Sequence, residues 1–180
     1  MVRRIFVVLV ALFGLLCTGQ ISAQPTYSLR ELVSTGNTAP VPPLLSDVVS
    51  FSFNDKGEVA YAGDGAVFLR SGQKVSMLAN FGRPAPGGGT FTYADTLALN
   101  SAGQLVFRAG VTSPGTSGLF LFSKGKLSEL IPDVVGKHTF DNVDQPQLND
   151  NGDVAFTATL TDGTTAVFVA KAKTAHATGN

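Results

Sequence analysis

At 180 residues the chain is long enough for one core of ordinary size, and 13 basic against 13 acidic residues leave it without net charge. No basic stripe runs along it to track phosphates, which argues against nucleic acid. Two histidines and one cysteine cannot assemble a zinc site of several nitrogen or sulfur ligands.

Residues 1–23 read as a secretory signal peptide: Arg3 and Arg4 give the positive start, Ile5 to Leu16 the apolar core, and Ile21-Ser22-Ala23 a small-residue cleavage site. The apolar run is shorter than the ~20 residues a membrane span needs, so no span is expected after cleavage. Cys17 follows Leu16, where a lipobox requires a small residue, so the only cysteine is expected to leave with the leader. The mature chain then forms no disulfide and depends on its core. The expected compartment is outside the cytoplasm, either periplasmic and envelope-associated or secreted.

Residues 24–170 read as one all-β domain, because 13 Phe, 20 Gly and 9 Pro without sustained helical periodicity fit short strands joined by tight turns. Tyr27 to Val33 alternates as a strand does and is followed by a Gly/Pro-rich loop. Three periods come next, at about 47–79, 95–131 and 144–170. The first period predicts strands at Val49–Phe53, Glu58–Ala62, Ala66–Arg70 and Val75–Ala79. The second predicts Thr96–Leu99, Gln104–Gly110, Gly118–Phe122 and Leu127–Ile131. The third predicts Pro146–Leu148, Asp153–Leu160 and Thr165–Ala170, then lacks a fourth strand, and 171–180 reads as a disordered tail.

The periods are marked by one octet stated three times: Asn54 to Tyr61, Asn100 to Phe107 and Asn149 to Phe156, separated by 46 and 49 residues. Each places an apolar run before the Asn, a four-residue turn ending in Gly, and an apolar run after it. Asn54, Asn100 and Asn149 suit the turn start because their side chains can bond the backbone just ahead. Gly57, Gly103 and Gly152 supply the positive φ that closes it. A calcium loop built on Asp150, Asn151 and Asp153 is the rival reading, but Ser101, Ala102 and Gln104 offer no carboxylate in the second copy and the turn persists.

The octets resemble the signature of the NxxGxxAF tandem-repeat proteins, exported or surface proteins of bacteria. Residues 149–156 fit it fully, whereas Tyr61 and Val106 depart from it. Pro86 to Phe91 is similar to that family's inter-repeat segment, and the resemblance spans about residues 27–170. It implies a β-propeller-like fold of four-stranded blades and no established activity, so it carries over no catalytic residue. Propellers commonly let the first strand complete the last blade, which gives residues 27–33 a candidate role as closing strand. Three blades are fewer than the usual four to eight. The sequence leaves a small closed ring, a homodimer sharing one six-bladed ring, or an open stack with a partner, and the homodimer ranks first.

The function expected from this reading is an exported, non-enzymatic interaction module for a protein or carbohydrate, with no cofactor and no metal. The candidate binding residues lie in the long connections: Phe81, Arg83, Phe91 and Tyr93 after the first period, His138 and Phe140 after the second. Their aromatic rings suit sugar faces or apolar side chains. The alternatives are a propeller-type hydrolase or lyase using the loop acids Asp95, Asp133, Asp141 and Asp144, or a shortened relic without an independent role.

Overall fold

The computed structural model describes residues 27–36, 45–112, 117–131, 134–135 and 138–172, and among these every regular element is a β-strand. Three antiparallel sheets follow the three periods. The first holds β1 (Ser50–Phe53), β2 (Val59–Gly63), β3 (Ala66–Ser71) and β4 (Lys74–Ala79), hydrogen-bonded in chain order. The second repeats that order with β5 (Phe91–Leu99), β6 (Leu105–Val111), β7 (Ser117–Ser123) and β8 (Lys126–Ile131). The third contains β9 (Val134–Val135), β10 (His138–Leu148), β11 (Val154–Leu160) and β12 (Thr165–Ala170), in the spatial order β12-β11-β10-β9.

The strands form where apolar residues alternate between turn formers, and the hairpin between the first two long strands of each sheet is the repeated octet. Its turn closes the same way each time. The Gly amide donates to the Asn carbonyl at 3.0 Å in all three copies, and the glycines sit at φ +72°, +76° and +85°. The Asn side-chain oxygen accepts from the amides of Lys56 and Glu58, of Ala102 and Gln104, and of Asp153.

These asparagines also connect the sheets. The Asn54 side-chain amide donates to the Asn100 carbonyl at 2.9 Å, and the Asn100 amide donates to the Asn149 carbonyl at 2.9 Å. Asn54 and Asn100 are buried by this arrangement, whereas Asn149 is exposed. A second file of contacts runs beside the first: the Ser101 hydroxyl donates to Asp55 and the Ser101 amide to Asp150. A buried polar side chain is tolerable only when its donors and acceptors are met. Asn meets that condition here because one side chain closes its own turn and reaches the next.

Packing is face to face and polar in direction, each sheet having a front turned toward the preceding sheet and a back turned toward the following one. Every front carries a stacked aromatic pair: Tyr61–Phe68 with centroids 5.1 Å apart, Phe107–Phe120 at 5.8 Å, and Phe156–Phe168 at 5.7 Å. The small back of the first sheet (Ala60, Ala62, Val67) meets the second front around Phe107 and Phe120. The second back (Val106, Leu119) meets the third front around Phe140 and Phe156. At roughly 25 cal/mol per Å² of apolar area, these two junctions are the main source of stability in a fold without cross-links.

Two expectations are corrected. Residues 27–33 form no strand. Residues 27–31 belong to a unit apart from the sheets, and their side chains are exposed. Farther on, the Leu32 carbonyl accepts from Arg70 and Val33 packs on the front of the first sheet, so the chain here leans on that sheet rather than pairing with β12. The third sheet gains its extra strand at its inner edge, from β9 beside β10. Second, the inner strands are far longer than predicted: β5 begins at Phe91 and β10 at His138, each continuing through bulges at Ala94/Leu97 and Asp144/Gln147. The tail beyond residue 172 and the leader lie outside the described residues.

Candidate functional site

The long inner strands explain where the candidate binding residues fall. Nine residues before Asn54, Asn100 and Asn149 stand Leu45, Phe91 and Phe140, and all three are buried. Phe91 meets Phe120 edge-on with centroids 5.1 Å apart, and Phe140 meets Phe168 at 5.3 Å. Each is the residue on which the incoming chain is fastened beneath its own front face. Phe91 and Phe140 are therefore core residues and not binding-loop residues. The constant nine-residue offset was the signal that could have revealed this. Phe81 and Arg83 remain exposed in the turn between β4 and β5. His138 pairs through its backbone with Val135, and its side chain lies outside the described residues.

Tyr93 joins a polar cluster between the second and third sheets. The Arg108 guanidinium lies 5.3 Å from the Tyr93 ring centroid, 2.8 Å from the Asp95 carboxylate and 4.0 Å from that of Asp144. Its other terminal nitrogen donates to Asn142 Oδ1 at 3.3 Å, and the Ser117 hydroxyl donates to the same oxygen at 2.8 Å. Thr96 Oγ1 stands 3.4 Å from Asp95 Oδ1 and from Asp144 Oδ1. Two of the four loop acids do converge, but a cation occupies the ground between them. A hydrolytic pair needs that ground open for substrate and water; here the geometry is that of a clamp between sheets. Asp141 is exposed on β10, and Asp133 lies outside the described residues. Among the described residues no group of three or more His, Cys, Asp or Glu could hold a metal, and no helix is long and apolar enough to cross a membrane.

What the structure leaves open is apolar and sits at the two ends of the stack. Phe51 and Phe53 on β1 are 68% and 72% exposed. At the corresponding places, counted back from the octet Asn, Leu97 and Leu99 are buried under the first sheet, and in the third repeat Pro146 is buried and Leu148 half-buried. At the other end, Val167 and Val169 on β12 are 70% and 55% exposed, although Val67 and Leu119, the counterparts of Val167, are fully buried and Leu69 and Leu121, the counterparts of Val169, are half-buried. The same strand positions differ in environment where, among the described residues, no sheet stands before the first or after the last. A shallow cleft of ≈ 310 Å³, lined by Gln147, Asn149, Ala155, Val169 and Lys171 among others, opens on that last back face.

Hydrogen bonds from the Ser46 hydroxyl and amide hold the Asp64 carboxyl below its ordinary value of 3.8 and tie the entry segment to the β2–β3 turn. The Lys171 ammonium and then the Ala172 amide hold Asp153 low in the same way beside Asn149. Burial raises the Tyr61 hydroxyl above its usual value.

A model described as a family of unknown function (DUF7453) matches residues 18–171 of the chain. No curated protein matches it.

Proposed function

The chain belongs to the family of unknown function DUF7453, and on that footing we propose that it is an exported, non-enzymatic, propeller-like interaction module that binds protein through the uncovered face of its first sheet. The observation carrying this reading is the exposure of Phe51 and Phe53 at positions that are buried or half-buried in the other two repeats. Contiguous apolar surface on a folded domain marks an interaction site. A flat sheet face suits another polypeptide surface better than it suits a sugar, which needs convergent polar groups. The leader-like residues 1–23 and the NxxGxxAF-like octets support export and the propeller-like architecture. Phe81 and Arg83 provide a secondary contact point at the rim.

Photo-crosslinking in intact cells tests this. A photoreactive residue at position 53 is expected to give polypeptide adducts outside the cytoplasm, while the same residue at Lys124, exposed in the β7–β8 turn, gives none. Adducts to polysaccharide alone, equal labelling from both positions, or a chain retained in the cytoplasm would overturn the reading.

A further inference from the structure

The two uncovered faces are not merely exposed; each is the counterpart of the other. Inside the chain, a small back face carrying an Asn donor is covered twice by an aromatic front face carrying an Asn carbonyl acceptor. At the ends, the unused back has the same make-up: Ala155, Val167 and Val169, with the exposed Asn149 amide, whose described partner is Asp153 in its own turn. The front of the first sheet leaves Phe51 and Phe53 exposed beside the Tyr61–Phe68 pair, which is already buried with Leu45, and its Asn54 carbonyl accepts from Gly57 within its turn. A carbonyl oxygen has a second lone pair, and the Asn149 amide a second hydrogen.

We infer that the protein that covers these faces is a second copy of the chain, joined head to tail at both ends to make one ring of six sheets. The Asn149 side-chain amide of each copy donates to the Asn54 carbonyl of the other, extending the ladder across both seams, and Phe51 and Phe53 seat against Val167 and Val169. This deepens the reading above, since it names the polypeptide that occupies the first-sheet face.

The repeat geometry favours this occupant. Leu45 and Val33 already lie on the first front, but Ala85 and Phe91 lie on the second front in the same manner and the first sheet still packs over them. Leu45 and Val33 therefore belong to the interface in the way that Ala85 and Phe91 do. A junction between unlike faces is heterologous, and two such junctions close with twofold symmetry when the turn per sheet is right. Six sheets fall within the four to eight that usual rings contain. Closure also covers both apolar ends at once, which an isologous front-to-front contact would not do. The seam sets Asp55 of one copy beside Asp150 of the other, in the places where Ser101 lies between Asp55 and Asp150 within one chain. Like charges at that spacing repel, so association is expected to strengthen with added salt.

Native mass spectrometry and light scattering on the chain purified from its host, with two variants, test the inference. The wild type is expected at twice the monomer mass. Phe53→Asp and Val167→Asp should each be monomeric, yet an equimolar mixture of the two should recover a dimer. The intact front of the Val167→Asp chain then meets the intact back of the Phe53→Asp chain, leaving a single good junction. A circular dichroism spectrum matching the wild type confirms that each variant has folded; Phe51→Asp replaces a Phe53→Asp chain that has not, and Val169→Asp a Val167→Asp chain that has not. A monomeric wild type overturns the inference. A Val167→Asp chain that stays dimeric means front-to-front pairing and overturns it as well. A ladder of trimers and higher forms refutes closure. A monomeric wild type whose position 53 still crosslinks to another protein leaves the interaction reading standing and removes only the second copy.

Discussion

Replacing Asn100 by alanine removes one side chain that makes four hydrogen bonds: it accepts from Ala102 and Gln104 at 3.1 and 2.9 Å and donates to Gln104 Oε1 and the Asn149 carbonyl at 2.8 and 2.9 Å. Net hydrogen-bond contributions of about 0.5–1.5 kcal/mol each, discounted because all four share one residue, give a loss of about 2–4 kcal/mol. Asn149→Ala is the internal control. Asn149 forms the same turn, but it is exposed and its amide reaches only Asp153 at 3.3 Å, so its loss should cost about 1 kcal/mol. Asn100→Asp separates the two roles of the side chain, because an aspartate keeps the acceptor that closes the turn and lacks the amide that reaches the third sheet. Because its second oxygen would be buried facing Gln104 Oε1 and the Asn149 carbonyl, its cost should equal or exceed that of Asn100→Ala if the ladder is formed. The assay is urea unfolding followed by far-ultraviolet circular dichroism, since the chain has no Trp, in the monomeric Val167→Asp background. Equal costs for Asn100→Ala and Asn149→Ala would mean that the octet is only a turn and that the ladder carries no coupling between sheets.

Other consequences can be checked on the same instrument. Gly57 has open space where a Cβ would stand and a φ of +72°, so Gly57→Asn should cost less than about 1 kcal/mol and Gly57→Val distinctly more; identical midpoints would refute the proposed turn geometry. Arg108→Ala should destabilise by about 1–3 kcal/mol, because it leaves Asp95 and Asn142 without a half-buried partner. Arg108→Ala and Asn142→Ala should also be non-additive in a double-mutant cycle, whereas simple addition would mean that Arg108 does not bridge the sheets. Asp64 has a folded-state pKa below its unfolded one, so it contributes stability above the unfolded value and loses it as pH falls through the folded value. The acid limb of the stability curve, below about pH 4, should therefore be shallower in Asp64→Asn than in the wild type. An unchanged limb would show that the Ser46–Asp64 link is not formed in solution.

The three sheets were legible because their hairpins are specified locally. Asn and Gly at fixed spacing, followed by three apolar residues, leave few backbone choices, and strands such as Thr165–Ala170 emerge with the predicted bounds. The inner strands were not legible, because their bulges admit residues that read as loop. Gln145 sits at φ +49° beside Pro146, inside an eleven-residue strand. For the same reason Phe91 and Phe140 looked like ligand-facing aromatics, although Leu45 at the same offset shows that the position wants any large apolar anchor. The alternation in 27–33 was genuine but uninformative, since a period of two states which residues share a face and not which sheet edge is vacant. The Asn ladder and the Arg108 clamp both join different sheets. Arg108 occupies a place where the other octets lead to Ala62 and Thr157, so nothing local announces its partners.

The central claim is that the sheets stabilise one another by covering front with back, so that a residue's cost depends on its place in the stack. Leu99 and Phe53 hold the same repeat position, one beneath a neighbouring sheet and the other at the open end. The direct measurement is the unfolding free energy of Leu99→Ala against Phe53→Ala in the monomeric Val167→Asp background. Leu99→Ala should cost about 2–5 kcal/mol and Phe53→Ala well under about 1 kcal/mol, as exposed positions do; a Phe53 cost equal to or above that of Leu99 would contradict the account.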